Sequence, residues 1–344
     1  MIKEAMLYEK LEGKQVRCIL CAHRCAIKPG RRGVCGVREN KDGVLYSLVY
    51  GTLITENIDP IEKKPFFHVY PSSKSYSIAT VGCNLSCDFC QNHDISQMPR
   101  SARMITGEDF LPEEIVKRAK KSGSKTIAYT YTEPTIYFEL AYDTAKIAYQ
   151  NGLKNVFVTN GFMTAEAIET IAPYLAAANV DLKSFRDEFY KKYCGARLEP
   201  VLESLKKMKG LGIWVEITTL LIPDLNDSEE ELKDIVRFIA GLGKETPWHI
   251  SRFHPQYKMQ NVSITPLTSL HRAVEIGRQA GLKYVYSGNV PGDDGENTRC
   301  FHCGKLLIER YGFKIVSINL NGNKCSNCGT KLEGVFNETQ VLGT

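Results

Sequence analysis

The chain has 344 residues, of which 43% are hydrophobic, with a formal net charge of +5 and twelve cysteines. That length and apolar content permit one large core with small additions. No run reaches the roughly 18 apolar residues of a membrane span, and Glu4, Glu9 and Glu12 stand where a secretory leader would be apolar, so a soluble, cytoplasmic protein is expected. The mild charge reads as solvated helix faces and does not indicate nucleic acid, and twelve cytosolic cysteines favour metal sites over disulfides. Eleven of them fall into three clusters, leaving Cys194 alone.

The first cluster is Cys18, Cys21, Cys25 and Cys35, with His23 among them and loop material at Pro29 to Gly33. Four ligands so close favour a closed metal knot, either zinc or an iron–sulfur cluster. Asp59-Pro-Ile-Glu-Lys-Lys-Pro-Phe-Phe-His68 follows and reads as a crossing segment near the site, with Lys63, Lys64 and His68 as lesser candidates. Tyr76 to Val81 is a β-branched, apolar strand that ends at Gly82 and delivers a Cys-x3-Cys-x2-Cys loop formed by Cys83, Cys87 and Cys90. A closed zinc or iron–sulfur site takes four protein ligands. Three thiolates on one loop therefore suggest a cubane cluster with one iron open to a small molecule; a zinc-knuckle fragment or buried small hydrophobes are the plainer alternatives.

From there to about Gly288 short strands alternate with amphipathic helices. The predicted strands are Ser77 to Val81, Thr126 to Thr130, Asn155 to Thr159, Asn179 to Leu182, Trp214 to Leu221, Trp248 to Phe253 and Lys283 to Tyr286. The predicted helices are Leu111 to Ser122, Thr135 to Asn151, Ala165 to Ala177, Leu198 to Gly210, Ser228 to Gly241 and Leu267 to Gly281. This alternation implies an α/β fold of parallel strands with right-handed crossovers. Too few units exist for eight-stranded closure, so the expected architecture is an open, partial (β/α)6 barrel with its chemistry at the carboxyl ends of the strands. Three segments are expected: a cysteine-rich 1–70, the barrel at 71–290, and a metal module at 291–344.

Residues at those strand ends are the candidates for a ligand pocket. Glu133, on a turn before Pro134, can accept from an ammonium or cap the next helix. Asn160 can pair with a ribose or carboxylate, or serve as a turn residue. Asp181 and Lys183 share a strand face, as suits a zwitterionic ligand or a structural salt bridge. His254 and Arg252 end the sixth strand, and Cys194 reads as a core cysteine with a hydrogen-donor role as the minority alternative. Near the C-terminus Cys300, Cys303, Cys325 and Cys328 form two Cys-x2-Cys-Gly knuckles flanking a hairpin from Leu306 to Leu320. They predict a tetrahedral four-thiolate site for zinc, with rubredoxin-like iron as the alternative.

The Cys83-Cys87-Cys90 spacing is the signature of the radical S-adenosylmethionine superfamily, which the chain resembles. The resemblance implies a 4Fe–4S cluster completed by the amino and carboxylate groups of S-adenosylmethionine, whose reductive cleavage yields a 5′-deoxyadenosyl radical. It further implies that Glu133 grips the methionyl amino group and that Asp181 and Lys183 face the cofactor, as in glycyl-radical-enzyme activases, with His254 near the adenosine. Thr218 stands where activases carry an arginine. The order of cysteine knot, Asp59–His68 segment, radical loop and C-terminal knuckles resembles the radical enzyme of the AmmeMemoRadiSam system, a relative of pyruvate formate-lyase activases. Implied partners are ferredoxin or flavodoxin as electron donor, and a protein substrate or the AmmeMemo partner proteins. Radical modification of a small molecule, peptide or RNA, aminocarboxypropyl transfer, and a metal-scaffolded binding module are the competing readings.

Overall fold

The computed structural model describes residues 1–290 and 292–336; Pro291 and residues 337–344, the two ends of the expected C-terminal module, lie outside the described residues. Its centre is one eight-stranded sheet in sequential order: β1 (Thr55–Pro60), β2 (Lys74–Ala79), β3 (Thr126–Tyr129), β4 (Lys154–Thr159), β5 (Leu175–Asp181), β6 (Trp214–Leu221), β7 (Trp248–Arg252) and β8 (Val285–Gly288). Strands β2 to β8 run parallel, and β1 adds an antiparallel edge. Helices on the outer side bury continuous apolar stripes. Glu229–Leu242, for example, is capped by Ser228 and buries Leu232, Ile235, Val236 and Ile239. Both faces of the parallel strands are covered, so β2 and β3 are buried along almost their whole length.

The partial-barrel expectation describes this α/β sheet, and three local expectations change. Thr55–Pro60 joins the sheet, so the sheet reaches back across the expected boundary at residue 70. The helix expected over Ala165 to Ala177 stops at Ile171; Pro173 withholds an N–H, a single 3-10 turn follows, and β5 begins at Leu175. A helix absent from the sequence reading, His93–Ser101, follows the cysteine loop directly despite Pro99 inside it. Among the described residues no helix is long and apolar enough to cross a membrane.

The N-terminal segment forms two small antiparallel sheets whose apolar residues belong to the barrel's own core. A buried ion pair, Arg38 to Glu139 at 2.7 Å with side chains 2% and 0% exposed, anchors the segment to helix Phe138–Gln150. The C-terminal module likewise shares a core with the barrel: Cys300, Leu307, Ile308 and Cys325 pack with Phe67, Tyr284 and Tyr286.

Residues 61–70 fill the interior of the open barrel. Ile61, Phe66 and Val69 pack on Ala128, Val156 and Ala177, small residues on the inner strand face that leave room for this strap. One carboxylate takes two of its backbone N–H groups. Glu216 of β6 accepts from Phe67 N and His68 N, each at 3.0 Å, from Trp214 Nε1 at 3.1 Å, and meets His249 Nε2 at 2.7 Å. Removing Glu216 strands several buried donors, so Glu216→Ala is expected to cost about 3–5 kcal/mol in chemical denaturation. A loss below about 1 kcal/mol would show that the strap stays in place without this carboxylate.

Candidate radical-cluster and ligand cavity

The cysteine loop leaves β2 through Gly82, whose φ is +106°. A Cβ there would sit 2.8 Å from Val37 Cγ1, so only glycine lets the loop turn against the N-terminal segment. Arg100 then clamps the loop, donating to Cys83 O at 2.8 Å and Leu85 O at 3.0 Å. On the other side Ser86 N and Asp88 N donate to Cys194 O and Tyr193 O at 2.9 Å each. Those carbonyls end a π-helical turn, Tyr190–Cys194, closed by Gly195 in the left-handed region.

The three thiols face one cavity of about 600 Å³ at the carboxyl ends of the strands. Leu85 N donates to Cys83 Sγ at 3.4 Å, Asn160 Nδ2 approaches it at 3.7 Å, and Ser96 Oγ lies 3.4 Å from Cys90 Sγ. Burial raises the pKa of Cys83 and Cys90, and the Cys194 thiol together with burial raises that of Cys87. Such thiols ionise when a metal takes the place of their protons. Three sulfurs on one cavity, Cys87 buried and Cys83 and Cys90 half-buried, with N–H and O–H donors beside them and open cavity beyond, fit a cluster that keeps one iron free.

The rest of the lining includes charged and polar groups. Lys183 Nζ bonds Asp181 Oδ2 at 2.8 Å, both facing the cavity as strand alternation requires. Burial would lower the Lys183 pKa, but Asp181 and the thiols of Cys87 and Cys194 raise it well above the ordinary lysine value. Glu133 is buried and caps the turn after it, accepting from Thr135 N at 3.1 Å, Thr159 Oγ1 at 2.7 Å and Asn160 N at 2.8 Å. Burial raises its pKa against those donors. Asn160 passes the link onward, with Nδ2 donating to Asn84 Oδ1 at 2.7 Å. Capping and cavity-lining are thus one arrangement for Glu133, and the Asn160 amide serves the cysteine loop.

Other candidates lie elsewhere. His254 is exposed and does not line the cavity, and Arg252 Nε donates to Thr265 O at 2.8 Å. Thr218 lines the cavity while donating to Asn179 Oδ1 at 2.8 Å. The cavity floor contains residues that carry little sequence signal. Lys64 is buried, bonds Asp59 at 2.7 Å and lies 3.9 Å over the Tyr131 ring; burial pushes its pKa down to about 8. Glu296 also lines the cavity, raised to about 7 by burial. Only the doubled lysine after Asp59-Pro60 hinted at the first, and nothing local marked the second.

The C-terminal thiols form a compact set, with Cys300 and Cys328 sulfurs 3.6 Å apart, Cys303 and Cys325 3.7 Å apart, and all four within 4.8 Å. A single tetrahedral ion with metal–sulfur bonds of about 2.3 Å needs sulfurs ~3.8 Å apart. This set can therefore hold one metal ion. The N-terminal Cys18, Cys21, Cys25 and Cys35 line a separate small cavity with Arg38 and His23.

The sequence description of the radical S-adenosylmethionine superfamily matches residues 77–239, the stretch that contains the cysteine loop and the Asp181–Lys183 strand. The chain belongs to this superfamily. As a radical S-adenosylmethionine enzyme it is 49% identical to uncharacterized protein MJ0808 of Methanocaldococcus jannaschii, across 97% of this chain and 100% of that protein. It is 24% identical to the pyruvate formate-lyase-activating enzyme of Clostridium pasteurianum over 47% of this chain and 67% of that one. The fold is similar to that of Streptococcus suis SuiB bound to S-adenosylmethionine, with TM-score 0.50 and 15% identity over 67% of this chain and 53% of SuiB. Gly82→Ala in this radical enzyme is expected to cost about 1–3 kcal/mol and to lower loading of the Cys83 loop with iron. Wild-type melting and full loading in that variant would show that the loop tolerates a Cβ.

Proposed function

We propose that Cys83, Cys87 and Cys90 hold a 4Fe–4S cluster and that the cavity beside them binds S-adenosylmethionine. The observation that carries this reading is the convergence of three thiols, one buried and two half-buried, and the Asp181–Lys183 pair on one cavity at the strand ends. When bound, the cluster supplies one electron to the sulfonium, giving methionine and a 5′-deoxyadenosyl radical that abstracts hydrogen from a substrate. The chain's residues bind and orient. Glu133 offers Oε2, which among the described residues takes only the Asn160 amide, to the methionyl ammonium. Lys183 balances the carboxylate in place of the arginine that Thr218 lacks. Asp181, whose side chain is 38% exposed, faces the ligand's cationic or hydroxyl groups.

We place the substrate outside this cavity's main volume. About 600 Å³ suits a single drug-sized ligand, so S-adenosylmethionine fills most of it and the target enters from the rim. There Phe313 lines the cavity while 50% exposed, on the hairpin formed by Leu306–Tyr311 and Lys314–Ile318, next to exposed Tyr311 and Val316. An extended polypeptide suits such a rim, and activase-like action on a protein, with ferredoxin or flavodoxin as donor, follows. The N-terminal knot, strap and C-terminal knuckles in one chain support placement in the AmmeMemoRadiSam system. Zinc is the proposed ion of the Cys300 set, where it stabilises the module that carries this rim.

Anaerobic incubation with dithionite and S-adenosylmethionine should release 5′-deoxyadenosine and methionine, and Cys83→Ala should release neither. Methylthioadenosine in place of 5′-deoxyadenosine would instead assign aminocarboxypropyl transfer. Deuterium transferred from a labelled partner protein into 5′-deoxyadenosine would establish the protein substrate, and its absence with every partner protein would contradict it. Asp181→Asn should weaken S-adenosylmethionine binding about tenfold, or 1.4 kcal/mol, by calorimetry. Cys300→Ala should lose zinc and lower the melting temperature while the radical cluster is retained; loss of both would join the two sites.

A further inference from the structure

We infer that Cys18, Cys21, Cys25 and Cys35 hold a second 4Fe–4S cluster, ligated on all four irons. The chain contains its own standard for a single-ion site. Among the described residues, the Cys300 set is the group whose candidate ligand atoms all lie within 4.8 Å of one another, and no three of the N-terminal thiols meet that limit. Yet all four line one cavity. Sulfurs that surround a common space but stand farther apart than one tetrahedral ion allows suit a cubane, in which each thiolate has its own iron. Cys83, Cys87 and Cys90, assigned to a cubane on other grounds, are likewise outside that limit.

A second observation points into the same cavity. Arg38 is buried, and its two terminal nitrogens are taken by Glu139 at 3.1 and 2.7 Å. Its Nε is buried without a hydrogen-bond partner among the described residues, on a side chain that lines this cavity. A buried donor without an acceptor is costly, and a cluster sulfide or thiolate would accept from it.

The site lies directly behind the radical loop. His23 Nε2 meets Asn84 O at 2.8 Å, and a Cβ built on Gly82 would lie 3.4 Å from Cys35 O. Arg100 bridges the two loops, donating to Val34 O at 2.6 Å and Cys83 O at 2.8 Å. A cluster here takes one electron from a reduced low-potential iron–sulfur or flavin carrier and passes it to the radical cluster, with no bond made or broken. Exposed Lys28 and Arg31 beside the site suit an acidic carrier. This electron-delivery role rests on the proposed radical chemistry; the metal assignment does not.

Iron, sulfide and zinc are counted on the full chain after anaerobic reconstitution, together with the electron paramagnetic resonance of the reduced protein. About eight irons and one zinc are expected per chain, with one of two cluster signals unchanged by S-adenosylmethionine. The triple variant Cys83→Ala, Cys87→Ala, Cys90→Ala should keep about four irons and only the unresponsive signal. Two zincs and about four irons in the wild-type chain would overturn the assignment, whether or not the triple variant folds. Eight irons without S-adenosylmethionine cleavage would sink the proposed activity and leave this site standing, whereas cleavage with two zincs would do the reverse.

Discussion

One buried carboxylate ties the functional end of this molecule together. Glu133 sits at the end of one strand and accepts from Asn160 N at the end of the next, and Asn160 in turn holds Asn84 inside the cysteine loop. Strand ends are otherwise independent loops, free to drift. Here a chain of short polar links, buried from water, makes the position of Cys83 depend on the register between β3 and β4. Low dielectric strengthens each link and makes each one costly to break. The same carboxylate retains acceptor capacity toward the cavity, so its structural and ligand-binding roles coincide.

A second carboxylate does similar work below. Glu216 gathers the strap backbone, an indole and an imidazole, and thereby blocks the interior of a barrel whose sheet does not close. The inner strand faces carry alanine and valine where the strap passes and polar residues where the cavity begins. That change of side-chain size along the same strands separates a packed floor from an open mouth. The two cysteine-rich segments then close the sides: one shares the core behind the cysteine loop, and the other supplies Phe313 and Glu296 to the rim.

Much of this is legible in the amino-acid sequence alone. Alternating apolar runs and capped amphipathic helices announced the parallel sheet, and Cys83, Cys87, Cys90, Asp181 and Lys183 meet where strand alternation and the carboxyl-end rule put them. What was hidden depends on contacts between distant segments. Glu296 reaches the cavity because the turn Asp294–Glu296 comes to the strand ends, 232 positions along the sequence from Lys64 on the strap, and no local pattern encodes that meeting. His254 shows the reverse failure: its place after a strand suggested the cavity, but the chain turns it outward into solvent. Cysteine spacing also left the role of the N-terminal thiols open, because zinc and iron–sulfur sites share spacings and differ in how far apart the sulfurs stand.

The central claim is that three protein thiolates leave one iron free for S-adenosylmethionine. Electron–nuclear double resonance of the reduced enzyme with cofactor labelled at the methionyl amino nitrogen measures that contact directly. The account predicts a hyperfine coupling between the labelled nitrogen and a cluster iron, absent in Cys83→Ala. A bound cofactor with no such coupling, and a cluster spectrum unchanged by its presence, would contradict it.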